Sequence, residues 1–259
     1  MTLRSIVERL SRRLVLRRRL PARLGGRAIY VSPGAALRFW RADIEKADPE
    51  LLALCTELVS KVQCVWDVGA NVGVFAFSAA HLAGPSGEVL AIEPDPWLAH
   101  LLRRTALGIG SESAPVEVLQ AAVTDRDGSA DLVIARRGRA TNHLAVVGGS
   151  SQSGGSREVV RVPAVTLDHL LEGRRPPDVL KIDVEGAELL CLSGARGLLR
   201  TARPTVLCEV TAENSGAIGS LFCDLDYVML DSAQPAPLRR PEPEPAWNTL
   251  AVPRERWLL

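Results

Sequence analysis

The chain has 259 residues, of which 47% are hydrophobic, so it can bury the core of one large domain or two small ones. Its 31 basic and 30 acidic residues leave a formal net charge of +1, which excludes binding to nucleic acid through bulk charge. The five cysteines show no Cys-x-x-Cys pair and no zinc-ligand spacing. We therefore expect reduced thiols, a cytoplasmic location and no nucleic-acid partner.

The N-terminal segment is strongly basic. Up to residue 27 it contains many arginines, which only Glu8 opposes. Four apolar residues in it fall near helical spacing: Ile6, Val7, Leu10 and Leu14. No apolar stretch is long enough for a signal-peptide core or a transmembrane helix. We expect a basic arm over residues 1–40 and the main domain over 41–259. The arm either covers part of that domain or contacts a membrane surface or an acidic partner.

Beyond the arm, short apolar runs alternate with helical patterns. The predicted strands are residues 64–68, 88–93, 116–123, 179–182, 206–209, 227–230 and 248–253. The main predicted helices are residues 48–62, 74–82, 97–107 and 167–171. This alternation predicts a doubly wound α/β fold with a mostly parallel, seven-stranded sheet. Between the third and fourth strands, two apolar runs flank a Gly/Ser-rich stretch, which predicts an inserted hairpin with a loop.

A glycine-rich loop, DVGANVG, joins the first of these strands to a helix. Such a loop lets the backbone approach a ligand and exposes the N–H groups of the helix N-terminus. We expect Asp67, Gly69, Ala70, Asn71 and Gly73 to bind a cofactor there. A dinucleotide needs a second glycine where Asn71 stands, to admit its pyrophosphate. S-adenosylmethionine has no phosphate, and its sulfonium cation favours a nearby carboxylate such as Asp67.

Two further cofactor positions follow from the next two strands. Glu93 ends the second strand, where a carboxylate accepts hydrogen bonds from ribose hydroxyls. This position serves either cofactor and does not discriminate between them. Ala122 lies in the third strand, where an adenine contact is expected.

A second charged junction, VLKIDVEGAE, runs from the fourth strand towards a helix. We expect Asp183 to face the cofactor, and Lys181 to pair with a carboxylate inside the sheet. Glu185 and Glu188 either stabilise the N-terminus of the following helix or act in the site. Asp183, Glu185 and Glu209 also offer oxygen ligands of the kind that magnesium prefers, although we predict no metal site.

Taken together, these motifs resemble the FkbM methyltransferases. The segments DVGANVG, IEPDP, LKIDVEGAE, LSGARGLL, RPTVLCEV and NTLAVP match in order and spacing over about residues 65–253. The resemblance implies S-adenosylmethionine as methyl donor and a hydroxyl oxygen of a sugar or other specialised metabolite as the usual acceptor. It implies cofactor-side roles for six positions: Asp67, Gly69, Asn71, Gly73, Glu93 and Asp183. It fixes neither the acceptor nor the oligomeric state.

Methyl transfer to a hydroxyl requires in-line approach and removal of the hydroxyl proton, for which a general base helps. His143, in a polar stretch of the inserted region, is our first candidate for that base, and Asp183 and Glu209 are the other catalytic candidates. Two alternatives stay open. One is a nicotinamide-dependent oxidoreductase, which Asn71 and the lack of a Tyr-x-x-x-Lys pair disfavour. The other is an inactive S-adenosylmethionine-binding module.

Overall fold

The computed structural model describes residues 14–149 and 153–257. The strands are β1 (Leu16–Arg19), β2 (Ala28–Val31), β3 (Cys64–Val68), β4 (Glu88–Ile92), β5 (Val116–Leu119), β6 (Ala122–Val123), β7 (Gly128–Ala135), β8 (His143–Leu144), β9 (Ser156–Val165), β10 (Val179–Ile182), β11 (Thr205–Glu209), β12 (Tyr227–Asp231) and β13 (Asn248–Pro253). The α-helices are α1 (Ile44–Ala47), α2 (Pro49–Leu58), α3 (Val74–Ala83), α4 (Pro96–Ala106), α5 (Leu167–Leu171), α6 (Glu188–Ser193), α7 (Arg196–Thr201), α8 (Ser215–Asp224) and α9 (Arg254–Trp257).

A central sheet of seven strands has the order β12-β13-β11-β10-β3-β4-β5. The five strands from β11 to β5 are parallel, and β13 runs antiparallel to β11 and β12. Side chains alternate across β3, so that Val65 packs in the core on one face while Trp66 and Val68 pack in the core on the other. Helices cover both faces, and the doubly wound α/β class predicted from the sequence is confirmed.

Most predicted elements match the structure closely, and two differ. The helix predicted over 48–62 ends at Leu58, because Val59 turns to an extended conformation. The strand predicted over 116–123 divides in two: β5 completes the central sheet, whereas β6 leaves it and pairs with β9. Apolar residues occur on both sides of Gln120, so the sequence alone does not indicate the break.

The inserted region forms a sheet of its own, in the order β6-β9-β7-β8. Its long strands β7 and β9 make the predicted antiparallel hairpin. A small apolar core lies beneath it and includes Leu132, Leu144 and Val162, together with Ala187 at the start of α6. The insert is thereby packed against the carboxyl edge of the central sheet, beside the segment that follows β10.

The described part of the N-terminal segment is folded onto the domain. Strands β1 and β2 pair antiparallel, and Leu20, Leu24 and Ile29 are fully or almost fully buried in the same core as α2 and α3. Residue 40 therefore does not separate an arm from a packed domain, because residues on both sides of it share one core. The amphipathic helix predicted around Leu10 lies outside the described residues. No helix within 14–149 and 153–257 is long and apolar enough to cross a membrane.

The loops after β3 and β10 approach each other very closely. Gly69 has a φ of +75°, and a Cβ atom added there would lie 1.9 Å from the carbonyl oxygen of Asp183. The Asp183 N–H in turn donates to the carbonyl of Val68 at 3.0 Å. Gly69 is therefore required by the packing of two loops against each other, as well as by its backbone conformation.

We expect Gly69→Ala to destabilise the protein by about 3 kcal/mol or more, because the clash is with backbone that cannot rotate away. Gly26→Ala is a matched control, since Gly26 also has a positive φ, +60°, but its nearest neighbour would be 3.7 Å away. The control should lower the free energy of unfolding by only about 1–2 kcal/mol. Urea unfolding gives both values. Equal losses in the two variants would contradict the steric account.

Candidate cofactor site

A cavity of about 380 Å³ opens at the carboxyl ends of β3, β4 and β10, and we call it the first cavity. Ligands of open α/β sheets bind at this edge. Besides the loops that follow these strands, two other segments build its wall. One lies before α1 and contributes Ala36 and Arg38, and the other belongs to the insert and contributes Arg139, Asn142 and His143.

The structure brings most of the predicted site residues to this cavity. Five of the predicted cofactor residues line it: Gly69, Asn71, Glu93, Ala122 and Asp183. The predicted catalytic residues His143 and Glu209 line it as well. Residues from the cofactor loop, the second motif and the insert are therefore combined in one place.

Three predicted cofactor residues do not line the cavity, and packing explains each case. Asp67 is fully buried beneath the loop. Ala70 lies in the core, where its N–H donates to the carbonyl of Ile92 at 3.0 Å. A Cβ atom on Gly73 would come within 2.5 Å of the Phe77 ring, so this glycine serves the packing of α3. In this structure all three lie behind the loop residues that line the cavity.

Asp67 is engaged by a buried lysine. Lys181 on β10 is the register partner of Asp67 on β3, and its Nζ lies 3.0 Å from Oδ1 of Asp67 and 3.3 Å from Oδ2 of Asp183. Burial lowers the pKa of Lys181, but the two carboxylates outweigh burial and hold the pKa above its usual value. The expected pairing of Lys181 inside the sheet is confirmed, and it fixes the carboxylate of Asp183 at the cavity wall.

Glu93 and Asn71 form the second polar feature of the wall. The Asn71 N–H donates to Oε2 of Glu93 at 2.8 Å, and the Asp95 N–H donates to Oε1 at 2.9 Å. Burial nevertheless raises the pKa of Glu93 to about 8. Oδ1 of Asn71 is buried and has no hydrogen-bond partner within the described part of the chain. Since an unpaired buried oxygen is costly, a ligand that donates a hydrogen bond here would be stabilised.

Three carboxylates gather where β10 and β11 end. Burial, followed by the charges of Asp183 and Glu188, raises the pKa of Glu185 to about 7. Burial and Asp183 raise the pKa of Glu209 to about 7 as well, against the charges of Lys181 and Arg38. Among residues 14–149 and 153–257, no three His, Cys, Asp or Glu side chains are arranged to hold a metal ion. Asp183, Glu185 and Glu209 do not form such a group in this structure.

Glu188 has a structural role. It is almost fully buried and accepts hydrogen bonds from the Gly186 N–H at 2.8 Å and from the side chain of Asn214 at 2.8 Å. A third bond, from the hydroxyl of Thr211, measures 3.2 Å. Glu188 thus ties the start of α6 to the segment after β11, and it does not line the first cavity.

A buried aspartate fastens the insert over the cavity. Asp95 is fully buried and caps α4 by accepting the Trp97 N–H at 2.8 Å. Its second oxygen accepts from Asn142 at 2.7 Å and pairs with Arg139. Because the Asp95 N–H also bonds Glu93, one residue connects the insert to the strand end that carries Glu93.

His143 lies on the insert side of the cavity. Its Nδ1 is 3.2 Å from the carbonyl oxygen of Thr141, and a Cβ atom added at Gly149 would lie 2.3 Å from the imidazole ring. The side chain is therefore held in place by its neighbours while it lines the cavity.

Sequence reasoning missed four residues of this site: Arg38, Asp95, Arg139 and Asn142. A signal was present for Asp95 in the IEPDP segment, where an aspartate precedes a proline at the start of a helix. Arg139 and Asn142 flank His143, but nothing in the sequence pairs them with a residue 44 or 47 positions earlier. Arg38 lay in the segment that was assigned to the arm.

Comparison with known proteins identifies the family. Residues 67–232 match the family model of the methyltransferase FkbM domain, which is more than half of the chain. The chain belongs to the FkbM methyltransferase family. This membership removes the nicotinamide oxidoreductase from the alternatives. Turnover is what separates an active FkbM methyltransferase from an inactive module.

Several relatives are recognisable. The hexuronic acid methyltransferase AglP of Haloferax volcanii is 26% identical over 195 residues, which is 74% of each chain. A crystal structure of methyltransferase FkbM from Methylobacillus flagellatus KT gives a TM-score of 0.48 at 14% identity, over 78% of this chain. The present chain spans only 50% of that structure's chain. Precorrin-6y C5,15-methyltransferase from Geobacter metallireducens GS-15 gives a TM-score of 0.43 at 12% identity, over 80% of this chain and 85% of its own.

Asp95→Asn tests whether the insert completes the first cavity of this FkbM methyltransferase. Asparagine still caps α4, but its amide group faces the donors of Arg139 and Asn142, so the contact becomes repulsive. We expect S-adenosylhomocysteine to bind about tenfold to a hundredfold more weakly, the loss typical of one charged hydrogen bond. Isothermal titration calorimetry measures the affinity.

Asp43→Asn is the matched control, because Asp43 caps α1 by accepting the Glu45 N–H at 3.0 Å and does not line the cavity. This variant should bind S-adenosylhomocysteine as the wild type does. An unchanged affinity in Asp95→Asn would show that docking of the insert is not needed for binding.

Proposed function

We propose that this protein binds S-adenosylmethionine in the first cavity and methylates a hydroxyl oxygen of a small acceptor, a sugar or specialised metabolite. The carboxyl groups of the cavity wall carry this proposal. Four carboxylate residues line it: Glu93, Asp183, Glu185 and Glu209. Only two arginines oppose them, and each has a carboxylate partner of its own, Asp48 for Arg38 and Asp95 for Arg139.

Such a wall favours a cationic cofactor over an anionic one, because a nearby cation favours the ionised form of Glu93, Glu185 and Glu209, whose pKa values burial raises. The sulfonium and the ammonium group of S-adenosylmethionine both carry positive charge, whereas the pyrophosphate of a dinucleotide would lie among carboxylates. Asn71 supports the same choice, because its side chain stands where a dinucleotide loop needs glycine.

The hydrogen-bonding groups of the wall also fit this cofactor. Glu93 keeps free lone pairs on both oxygens, each of which accepts a single backbone N–H, and they suit two ribose hydroxyls. Oδ1 of Asn71 is available to a further donor. Ala122, beside Ile92 and Leu98, gives an apolar surface that suits an adenine ring. These residues would hold the adenosine end near β4 and leave the carboxylates after β10 and β11 near the reacting group.

When bound, the cofactor supplies a methyl group whose transfer to a hydroxyl leaves S-adenosylhomocysteine and one proton. We assign that proton to Glu209, which lies at the end of β11. A carboxylate with a pKa of about 7 can accept a proton near neutral pH. The charge of Asp183, which Lys181 holds in place, raises the pKa of Glu209 and so supports its basicity. His143 is the alternative base on the opposite, insert side of the cavity.

The cysteines are consistent with a cytoplasmic site of action, which we include in the proposal. Cys55, Cys64, Cys191 and Cys208 are buried, and none of the five cysteines is in a disulfide. Burial raises the pKa of Cys64 to about 11, so this thiol stays protonated and unreactive at neutral pH. The thiols thus behave as small core side chains.

Glu209→Gln tests the proposed base. Glutamine keeps the shape of the side chain but cannot accept the proton, so we expect kcat to fall by about 100-fold or more. In the wild type, kcat should rise with pH through about 7, because the ionised form of Glu209 is the base and its pKa is raised to that value. This rise should disappear in the variant, while S-adenosylhomocysteine binds within about twofold of the wild type.

His143→Gln is the matched comparison, since it removes the other candidate and also keeps a polar side chain. We expect it to retain the rise of kcat through pH 7. A pH dependence that persists in Glu209→Gln and is lost in His143→Gln would transfer the role to His143. Methyl transfer is followed with S-adenosylmethionine labelled in its methyl group, and a protein that binds the cofactor without any turnover would be the inactive module.

A further inference from the structure

A second cavity, of about 360 Å³, adjoins the first. Three residues line both cavities: Arg38, Asp183 and Glu209. The second cavity extends from this junction between α2 and the loop that joins β12 to β13. A molecule in it would therefore meet the proposed base, Glu209, from the side away from Glu93.

The wall of this cavity contains an unsatisfied polar group. Ser232 is only 5% exposed, and its hydroxyl has no hydrogen-bond partner within the described ranges. Ser232 lines the cavity, together with the amide side chains of Gln234 and Asn248. A buried hydroxyl without a partner is uncommon in folded proteins. A ligand with hydroxyl groups would satisfy it by either donating or accepting.

Apolar side chains lie on the α2 side of the same cavity. Leu51 and Leu54 project from α2, and Leu207 comes from β11. The combination of one apolar wall with several hydrogen-bonding groups suits a ring that has a C–H face and hydroxyl groups at its edge. A chain-like hydrocarbon would leave Ser232 unsatisfied.

The charged groups of the second cavity disfavour the binding of an anionic ligand. Its three cationic residues are each engaged by carboxylates: Arg38 by Asp48 at 3.0 Å, Lys181 by Asp67 and Asp183, and Arg239 by Glu57 at 3.0 Å. Two other carboxylates on the wall, Glu50 and Glu209, form no ion pair with any described residue. An anionic ligand would lie beside the charge of Glu50 and would oppose the ionisation of Glu209, whereas an uncharged or amine-bearing ligand would not.

We propose that the second cavity is the acceptor site. It takes a polyhydroxylated ring that is uncharged or carries an amine. The cavity discriminates against a ring that carries a carboxylate. This proposal rests on the proposed function, since it places the acceptor hydroxyl next to Glu209 at the junction of the two cavities.

The location is tested by filling the cavity. Ala53 lies on the exposed side of α2 and lines the cavity, so Ala53→Trp adds bulk there without disturbing the core. Leu107→Trp is the control, because Leu107 is 90% exposed and lines neither cavity. We expect Ala53→Trp to lose at least 90% of methyl transfer while its affinity for S-adenosylhomocysteine and its Tm stay unchanged. Leu107→Trp should behave as the wild type.

The acceptor class is tested with three matched probes: methyl glucoside, which is uncharged, methyl glucosaminide, which carries an amine, and methyl glucuronide, which carries a carboxylate. Transfer from labelled S-adenosylmethionine gives kcat/KM for each. We expect the first two probes to exceed the glucuronide by at least tenfold. Glu50→Gln removes an unpaired negative charge, so it should reduce the ratio of kcat/KM between the first two probes and the glucuronide. Asp48→Asn removes the carboxylate that pairs with Arg38, so it should reduce the same ratio further.

The outcomes separate this proposal from the proposed function. Failure to bind S-adenosylhomocysteine would overturn the proposed function itself. The protein could bind S-adenosylhomocysteine but prefer the glucuronide, or transfer a methyl group to none of the three probes. Either result would overturn only the proposed acceptor class. Full activity in Ala53→Trp, with the cofactor product bound normally, would show that the acceptor lies elsewhere.

Discussion

The arrangement of this site depends on one buried charge. Lys181 lies inside the central sheet, where an unpaired ammonium would cost several kcal/mol. Asp67 on the neighbouring strand β3 and Asp183, just beyond the end of β10, compensate it. Their pairing fixes the register of β3 against β10, and Gly69 then allows the two following loops to touch. Every cavity residue on these loops takes its position from that contact.

The two cavities meet at one edge of the sheet, and in our proposal each of them takes one of the two ligands. Glu93 and Asn71 provide polar groups near β4, where we propose that the adenosine part of the cofactor binds. Ser232 lies on the far side of the junction. Glu209 lines both cavities, so in the proposed reaction it is within reach of a proton released where the two ligands meet. The insert, fastened through Asp95, closes the cofactor side.

Local sequence patterns predicted the strands, the cofactor loop and the pairing of Lys181, because each depends on neighbours in the chain or on adjacent parallel strands. They did not predict that Asp67 and Gly73 serve packing, since a motif gives residue types but not the direction in which each side chain faces. Asp95 with Arg139, and Arg38 at the junction, depend on contacts between distant segments. Such contacts are set by the insert and by residues before α1, for which the sequence contained no periodic signal.

Calorimetric titration of S-adenosylhomocysteine into the wild type and Glu93→Ala tests the central claim most directly, with NADH as the comparison ligand. The structure predicts saturable binding of S-adenosylhomocysteine, a loss of at least tenfold in affinity when the Glu93 carboxylate is removed, and no binding of NADH. Equal affinity in the two proteins would mean that the ligand does not contact Glu93. Binding of NADH, or of neither ligand, would contradict the assignment of the first cavity.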